Sequence, residues 1–94
     1  MPNRSKQKGT RFELDCVHKA QTLGLSAFRY PTSASPQNQT WDISIAGKQC
    51  QCKKEASGFK RIQQWLIGVD ALIVGADYSE PLVVLKLQDW LKLL

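Results

Sequence analysis

Three short stretches of the chain carry residue types suited to chemistry on a phosphodiester: Glu13, Asp42, and the run Gln51-Cys52-Lys53. Metal-dependent hydrolysis of that bond needs oxygen ligands for a hard cation such as Mg²⁺ or Mn²⁺, and a cationic group near the attacking water or the scissile phosphate. Glu13 and Asp42 offer carboxylates, Gln51 an amide oxygen and Cys52 a backbone carbonyl, so these four are the candidate metal ligands. Lys53 is the candidate cation, and the catalytic set reads Glu13, Asp42, Gln51 and Lys53. On a strand, Gln51 and Lys53 are two positions apart and project to one face. Gln51 can ligate a cation but brings no charge, so the set binds metal more weakly than three carboxylates would.

The surrounding pattern predicts the elements that hold these residues. Phe12, Cys16, Val17, Ala20 and Leu23 recur at spacings of three and four, which predicts a helix from Thr10 to Leu23 with Gly24 as its stop. Glu13 lies on the rim of that apolar stripe, and Asp15 with Lys19 forms a supporting pair on the wet side. Ser26 to Tyr30 reads as a strand, and residues 31–40, with two prolines and small polar residues, as a loop. Trp41 to Ala46 and Gln49 to Lys53 both alternate around a turn at Gly47-Lys48, which predicts a hairpin. Asp42 then reaches the face of Gln51 and Lys53 from the neighbouring strand.

A second helix is expected from Gly58 to Val69, with Phe59, Ile62, Trp65, Leu66 and Val69 on its apolar face. The runs Ala71 to Ala76 and Leu82 to Lys86 read as buried strands, and Leu87 to Leu93 as a closing helix. Trp65, Trp90, Leu91, Leu93 and Leu94 are expected in the core, with the terminal helix also available for a dimer contact. The fold class is therefore α/β, a single mixed β-sheet flanked by helices in the order α-β-β-β-α-β-β-α. Residues 1–8 read as a flexible basic arm and residues 9–94 as one domain, a division that 94 residues favour.

Formal net charge is +5, and its placement points to a polyanion as partner, most simply DNA. Arg4, Lys6, Lys8 and Arg11 open the chain without an acid among them, and Lys48, Lys53, Lys54, Lys60 and Arg61 form a second cluster. Candidate DNA contacts are Lys8, Arg11, Arg29, Ser33, Ser35, Lys54, Lys60 and Arg61; Arg29 can pair with a phosphate or with an acid of the chain itself. No apolar run approaches a membrane span and no apolar signal region follows the basic start, so a cytoplasmic protein is expected. Cys50 and Cys52 point the same way on one strand and are poorly placed to pair with each other, so Cys16, Cys50 and Cys52 are expected as reduced thiols. Adding His18 does not make a zinc site, because Cys16 and His18 do not face each other on a helix and one residue between cysteines is too few.

Taken in order, these motifs resemble the PD-(D/E)XK nuclease superfamily, and within it the small phage and archaeal Holliday-junction resolvases. Lys8-Gly-Thr-Arg-Phe-Glu13 is similar to their basic-glycine-to-glutamate opening, and Arg29-Tyr-Pro-Thr-Ser-Ala-Ser35 to their arginine strand and serine-rich loop. Trp41-Asp-Ile-Ser resembles the aspartate strand and Gln51-Cys-Lys53 the Glu-X-Lys half of the motif, with Gln51 in the place of glutamate. The resemblance implies a restriction-endonuclease-like fold, Mg²⁺-dependent cleavage of branched DNA, and a homodimer with two sites. Gln51 leaves three readings of that departure open: a natural variant, an introduced inactivating change, or a degenerate site. A DNA-binding module without activity and a protein-interaction domain are the alternatives.

Overall fold

The computed structural model describes residues 4–30 and 41–94, with side chains described from Gly9 onward. The expected helices and strands follow in the expected order: α1 (Arg4–Thr22), β1 (Ala27–Arg29), β2 (Ile43–Ile45), β3 (Lys48–Cys50), α2 (Lys60–Trp65), β4 (Leu72–Val74), β5 (Leu82–Val84) and α3 (Leu87–Leu91). At this level the chain is α/β. Among the described residues, however, the strands pair in two sheets, β1-β2-β3 and β4-β5, where one mixed sheet was expected, and every described pairing is antiparallel. The contacts of the chain cluster in two compact units, the first running to Lys54 and the second spanning Glu55–Leu93.

In the first unit, α1 starts at Arg4, so residues 4–8 belong to the helix where an arm was expected. Its end is set by Gly24, whose φ of +84° suits glycine. There the Leu25 N–H donates to the Ala20 carbonyl (3.1 Å) and the Gly24 N–H to the Gln21 carbonyl (2.9 Å). That pair of bonds is the Schellman arrangement, which satisfies carbonyls the helix would leave open. Cys16, Val17 and Ala20 are buried against β1 and β2, where Ala27, Ile43 and Ile45 are buried in turn. Ile43 and Ile45 are each 1% exposed, and burial of such a side chain is worth about 1.5–3 kcal/mol. Gln21 Nε2 also donates to the Ala27 carbonyl (3.0 Å), tying the helix to the edge strand.

The hairpin between β2 and β3 turns at Ala46-Gly47, one residue earlier than expected. Both residues have positive φ, +51° and +80°, as a type I′ turn requires. The register pairs Ile43 with Cys50 and Ile45 with Lys48, while Arg29 and Ala27 pair with Ile43 and Ile45 from the other side. Alternation thus turns Ala27, Arg29, Ile43, Ile45 and Cys50 toward one face of the sheet.

The second unit is less well buried than the sequence suggests. β4 and β5 were expected as buried strands, yet Ile73, Leu82 and Val83 are 74%, 64% and 64% exposed. Continuous apolar runs read as buried because such strands are normally covered on both faces; here a two-stranded ribbon is covered on one face at most, and Ile73 and Val83 pair directly on the open one. Helix α2 is six residues long, without a side-chain cap or a buried residue, and Gly68 at φ +78° follows its end. Of the residues expected in the core, Leu91 is buried, whereas Trp65 and Leu93 are exposed. Val83, Val84, Leu85, Leu87 and Trp90 line an open apolar groove on this unit.

Candidate functional site

Glu13 faces the sheet from α1, and β1 supplies its partner. Arg29 Nε donates to Glu13 Oε2 at 2.5 Å, and Arg29 Nη2 donates to Thr10 Oγ1 at 3.4 Å, one helical turn before Glu13. Both charged side chains are largely covered, so this pair is less screened than a surface ion pair. Of the two partners open to Arg29 in the sequence, an acid of the chain is the one it holds.

Asp42 lies next to β2, at a break in the ladder. Its N–H donates to the Cys50 carbonyl (2.7 Å), one residue out of the register that pairs Ile43 with Cys50. Such a bulge-like offset re-aims a side chain. The Asp42 carboxylate accepts a hydrogen bond from the Cys52 N–H, Oδ2 to N 2.6 Å. That bond fastens the acid to the middle residue of Gln51-Cys52-Lys53, and one carboxylate oxygen of Asp42, like one of Glu13, is left outside these bonds.

Cys52 is where the elements meet. Its thiol is pushed well above the ordinary cysteine range, by hydrogen bonding toward Cys16 first, then by burial and by the negative charges of Cys16, Asp42 and Glu13. Both carboxylates are therefore close enough to act on one side chain. The reciprocal effect draws Cys16 down to about 7, through the Cys52 hydrogen bond first and with help from Lys19 and Lys54. Cys50 is pushed up by burial and by Cys16.

Gln51 and Lys53 are exposed and Cys52 half-buried, the alternation of an extended segment. Strand β3 itself stops at Cys50, so Gln51 to Lys53 extend beyond the ladder. Among the described residues, no hydrogen bond or ion pair joins Gln51 or Lys53 to either carboxylate. Nor do any three His, Cys, Asp or Glu side chains gather there to hold a metal ion. Glu13 and Asp42 each keep one carboxylate oxygen outside the bonds given above, and Mg²⁺ commonly takes one or two carboxylates and draws its other ligands from water and substrate phosphate.

Arg11 is exposed on α1, and Lys54 lies over the Phe12 ring, 5.0 Å from its centroid. Lys60 and Arg61 are exposed on α2, Arg61 lying 6.0 Å from the Trp65 ring. Lys8 is part of α1; Ser33 and Ser35 lie outside the described residues. Thr10 and Cys16 were not singled out as site residues. Their signal was position: Thr10 is one turn before Glu13, and Cys16 lies on the apolar stripe opposite the inward residue of the Gln51-Cys52-Lys53 run. Among the described residues no helix is long and apolar enough to cross a membrane. Comparison with protein-family models, curated proteins and solved structures gives no significant match.

Proposed function

We propose that this chain is a Mg²⁺- or Mn²⁺-dependent DNA endonuclease of the PD-(D/E)XK type, acting on branched DNA such as a four-way junction, with a restriction-endonuclease-like fold. The observation that carries the reading is the 2.6 Å bond from the Cys52 N–H to Asp42, which unites the acid of one strand with the Gln51-Cys52-Lys53 segment, beside a thiol that also feels Glu13. Glu13, Asp42, Gln51 and the Cys52 carbonyl would hold the cation. When bound, it supplies charge to polarise the phosphate and to lower the pKa of an attacking water.

The chain's own residues do the rest. Arg29 fixes the orientation of Glu13, and the Cys52 N–H that of Asp42, so neither acid needs to be ordered during the reaction. Lys53, an exposed cation one residue after Cys52, would orient the water and stabilise charge on the phosphate. With Glu13 and Asp42 balanced by Arg29 and Lys53, and Gln51 neutral, the site carries no net negative charge. Cation binding then depends on the phosphates that DNA brings. Lys8, Arg11, Lys54, Lys60 and Arg61, with Ser33 and Ser35, grip the backbone. A homodimer belongs to the same proposal, since paired cuts across a junction need two sites, and the exposed Ile73, Leu82 and Val83 are the kind of surface that dimers bury.

The same charge balance favours a second reading, a DNA-binding module that does not cut. Incubation of a four-way junction and a linear duplex with the native chain, Gln51→Glu, Glu13→Gln and Asp42→Asn, in Mg²⁺ or Mn²⁺, separates the two. Nicking by the native chain or by Gln51→Glu, lost in Glu13→Gln and Asp42→Asn, supports the nuclease. Salt-sensitive binding without nicking by any variant supports the module. Absence of binding at low salt overturns both and leaves a protein-interaction domain.

A further inference from the structure

The sheet β1-β2-β3 carries a second group of side chains that the proposed chemistry does not use. Ala27 and Arg29 turn toward α1, the first buried and the second bonded to Glu13, so alternation sends Phe28 and Tyr30 to the other face. Their rings meet edge to face, with centroids 5.1 Å apart and planes at 69°. Trp41 meets Tyr30 in the same manner, at 6.3 Å and 67°, where the Tyr30 N–H donates to the Asp42 carbonyl. A single exposed phenylalanine is ordinary on a protein surface. Here Phe28, 50% exposed, is the open end of three rings in contact. Across the ladder its neighbours are Ser44 and then Gln49, a short side chain and an exposed polar one, neither with a ring to stack on it.

The charge around this row has one sign. From Cys16 to Trp41 and from Ile43 to Lys54 the sequence holds Lys19, Arg29, Lys48, Lys53 and Lys54 and no Asp or Glu. The one acid in between, Asp42, accepts the Cys52 N–H. Lys48, Lys53 and Lys54 are exposed. A ligand suited to this face therefore combines flat apolar rings with negative charge. An acidic peptide brings the charge alone, whereas an unpaired nucleic-acid strand brings both, a base and a phosphate at every step.

We propose that Phe28 and Tyr30, backed by Trp41, form a stacking platform for the bases of an unpaired DNA strand, in the positive field of Lys48, Lys53 and Lys54. The inference rests on the reading of the chain as a DNA-binding protein, and cleavage is not needed for it. Rings on an open sheet face stack two or three successive bases in other nucleic-acid-binding folds. The edge-to-face contacts hold Phe28 and Tyr30 in place before a base arrives, so little side-chain freedom is lost on binding. Unpaired bases beside a branch are the part of a junction that such a platform takes, and a continuous duplex offers it none.

The test is fluorescence anisotropy with the full chain at low salt, in EDTA so that nothing is cut. The labelled probes are an oligothymidylate of about 12 nucleotides, an abasic strand of the same length and a linear duplex. Phe28→Leu and Tyr30→Leu keep apolar bulk and discard the ring; Phe28→Tyr keeps the ring. The native chain is expected to bind oligothymidylate roughly tenfold or more tighter than the abasic strand, and Phe28→Leu and Tyr30→Leu each to lose about five- to a hundredfold of that affinity. Phe28→Tyr should bind as the native chain does, and duplex affinity should stay within about twofold in every variant, since it depends on phosphate contacts. Equal affinity for the thymidylate and abasic strands, or no loss in Phe28→Leu, overturns the platform and leaves duplex binding standing. A parallel loss on the duplex makes the rings structural and overturns it too. Polyglutamate of similar length should bind native chain and Phe28→Leu alike; a loss as large as that of oligothymidylate would make the row a peptide site. Absence of binding to all three DNAs removes the DNA-binding reading and the platform together.

Discussion

Arg29 and Glu13 meet across the helix–sheet interface, guanidinium Nε to carboxylate Oε2 at 2.5 Å, with side chains 24% and 16% exposed. Removing one partner leaves the other charged and poorly hydrated, which costs more than the pair itself contributes. Arg29→Gln is expected to destabilise the chain by about 1–2 kcal/mol, read as a lower urea midpoint at unchanged slope. Arg29→Lys keeps the charge but not the Nε geometry and loses roughly half as much. A loss in Arg29→Gln no larger than that of an exposed arginine, such as Arg11→Gln, would sink the idea that this pair fixes Glu13.

Asp42 has two separable duties, to accept the Cys52 N–H and to bring a negative charge. Asp42→Asn retains an oxygen for the first and discards the second; Asp42→Ala discards both. Equilibrium unfolding should place Asp42→Asn within about 0.5 kcal/mol of the native chain and Asp42→Ala about 1–2 kcal/mol below it. Nicking is expected to vanish in both. Equal destabilisation by the two variants would show that the charge, and not the acceptor, holds the segment.

The order of elements was legible because each rests on local signals: the three-four stripe from Phe12 to Leu23, the Gly24 stop, the alternation on either side of Gly47. What joins distant segments was not. Nothing local says whether β4 pairs with β1 or only with β5, and the apolar runs that imply burial read the same for a covered strand and for a ribbon with an open face. Arg29 and Glu13 are 16 residues apart and Asp42 and Cys52 are 10 apart, so neither contact leaves a periodic trace. The acids Glu13 and Asp42 could be named from type and spacing. That the Cys52 N–H reaches Asp42 could not, since it goes with a one-residue offset at Asp42.

Ala46 occupies the first central position of the I′ turn at φ +51°, where an L-residue with a Cβ is strained. Asn tolerates this region and Gly has no penalty there. Ala46→Gly and Ala46→Asn are expected to stabilise the hairpin by about 0.5–1 kcal/mol, seen as a raised urea midpoint. Gly47→Ala, at φ +80°, should act in the opposite sense by a similar amount.

The thiol pair gives metal-free protein a pH dependence of definite sign. Cys16 is drawn from its ordinary 9.0 to about 7, chiefly by the Cys52 hydrogen bond. Its contribution is fully present above the unfolded value near 9, and is lost as pH falls through 7, because the unfolded chain then holds a proton that the folded chain has released. Cys52 is shifted upward, so above 9 the folded chain keeps a proton the unfolded chain loses, and stability falls with further rise. Subtracting the curve of Cys16→Ala from that of the native chain should leave a maximum near pH 9, with slopes of at most about 1.4 kcal/mol per pH unit. A flat difference from pH 6 to 9 would refute the shift at Cys16.

On the nuclease reading Gln51 is the residue on which activity turns, because it brings no charge where a glutamate would bring a third carboxylate. Gln51→Glu adds a carboxylate without adding bulk, on an exposed position where the extra charge costs little stability. Mn²⁺ affinity of the DNA-free chain, by calorimetric titration, should rise on the order of tenfold or more. Nicking should then need less metal, and its dependence on added cation should shift to lower concentration by a similar factor. If Mn²⁺ binding is the same in the two proteins, Gln51 does not face the cation. The ligands would then be limited to Glu13, Asp42 and the phosphates of the bound DNA.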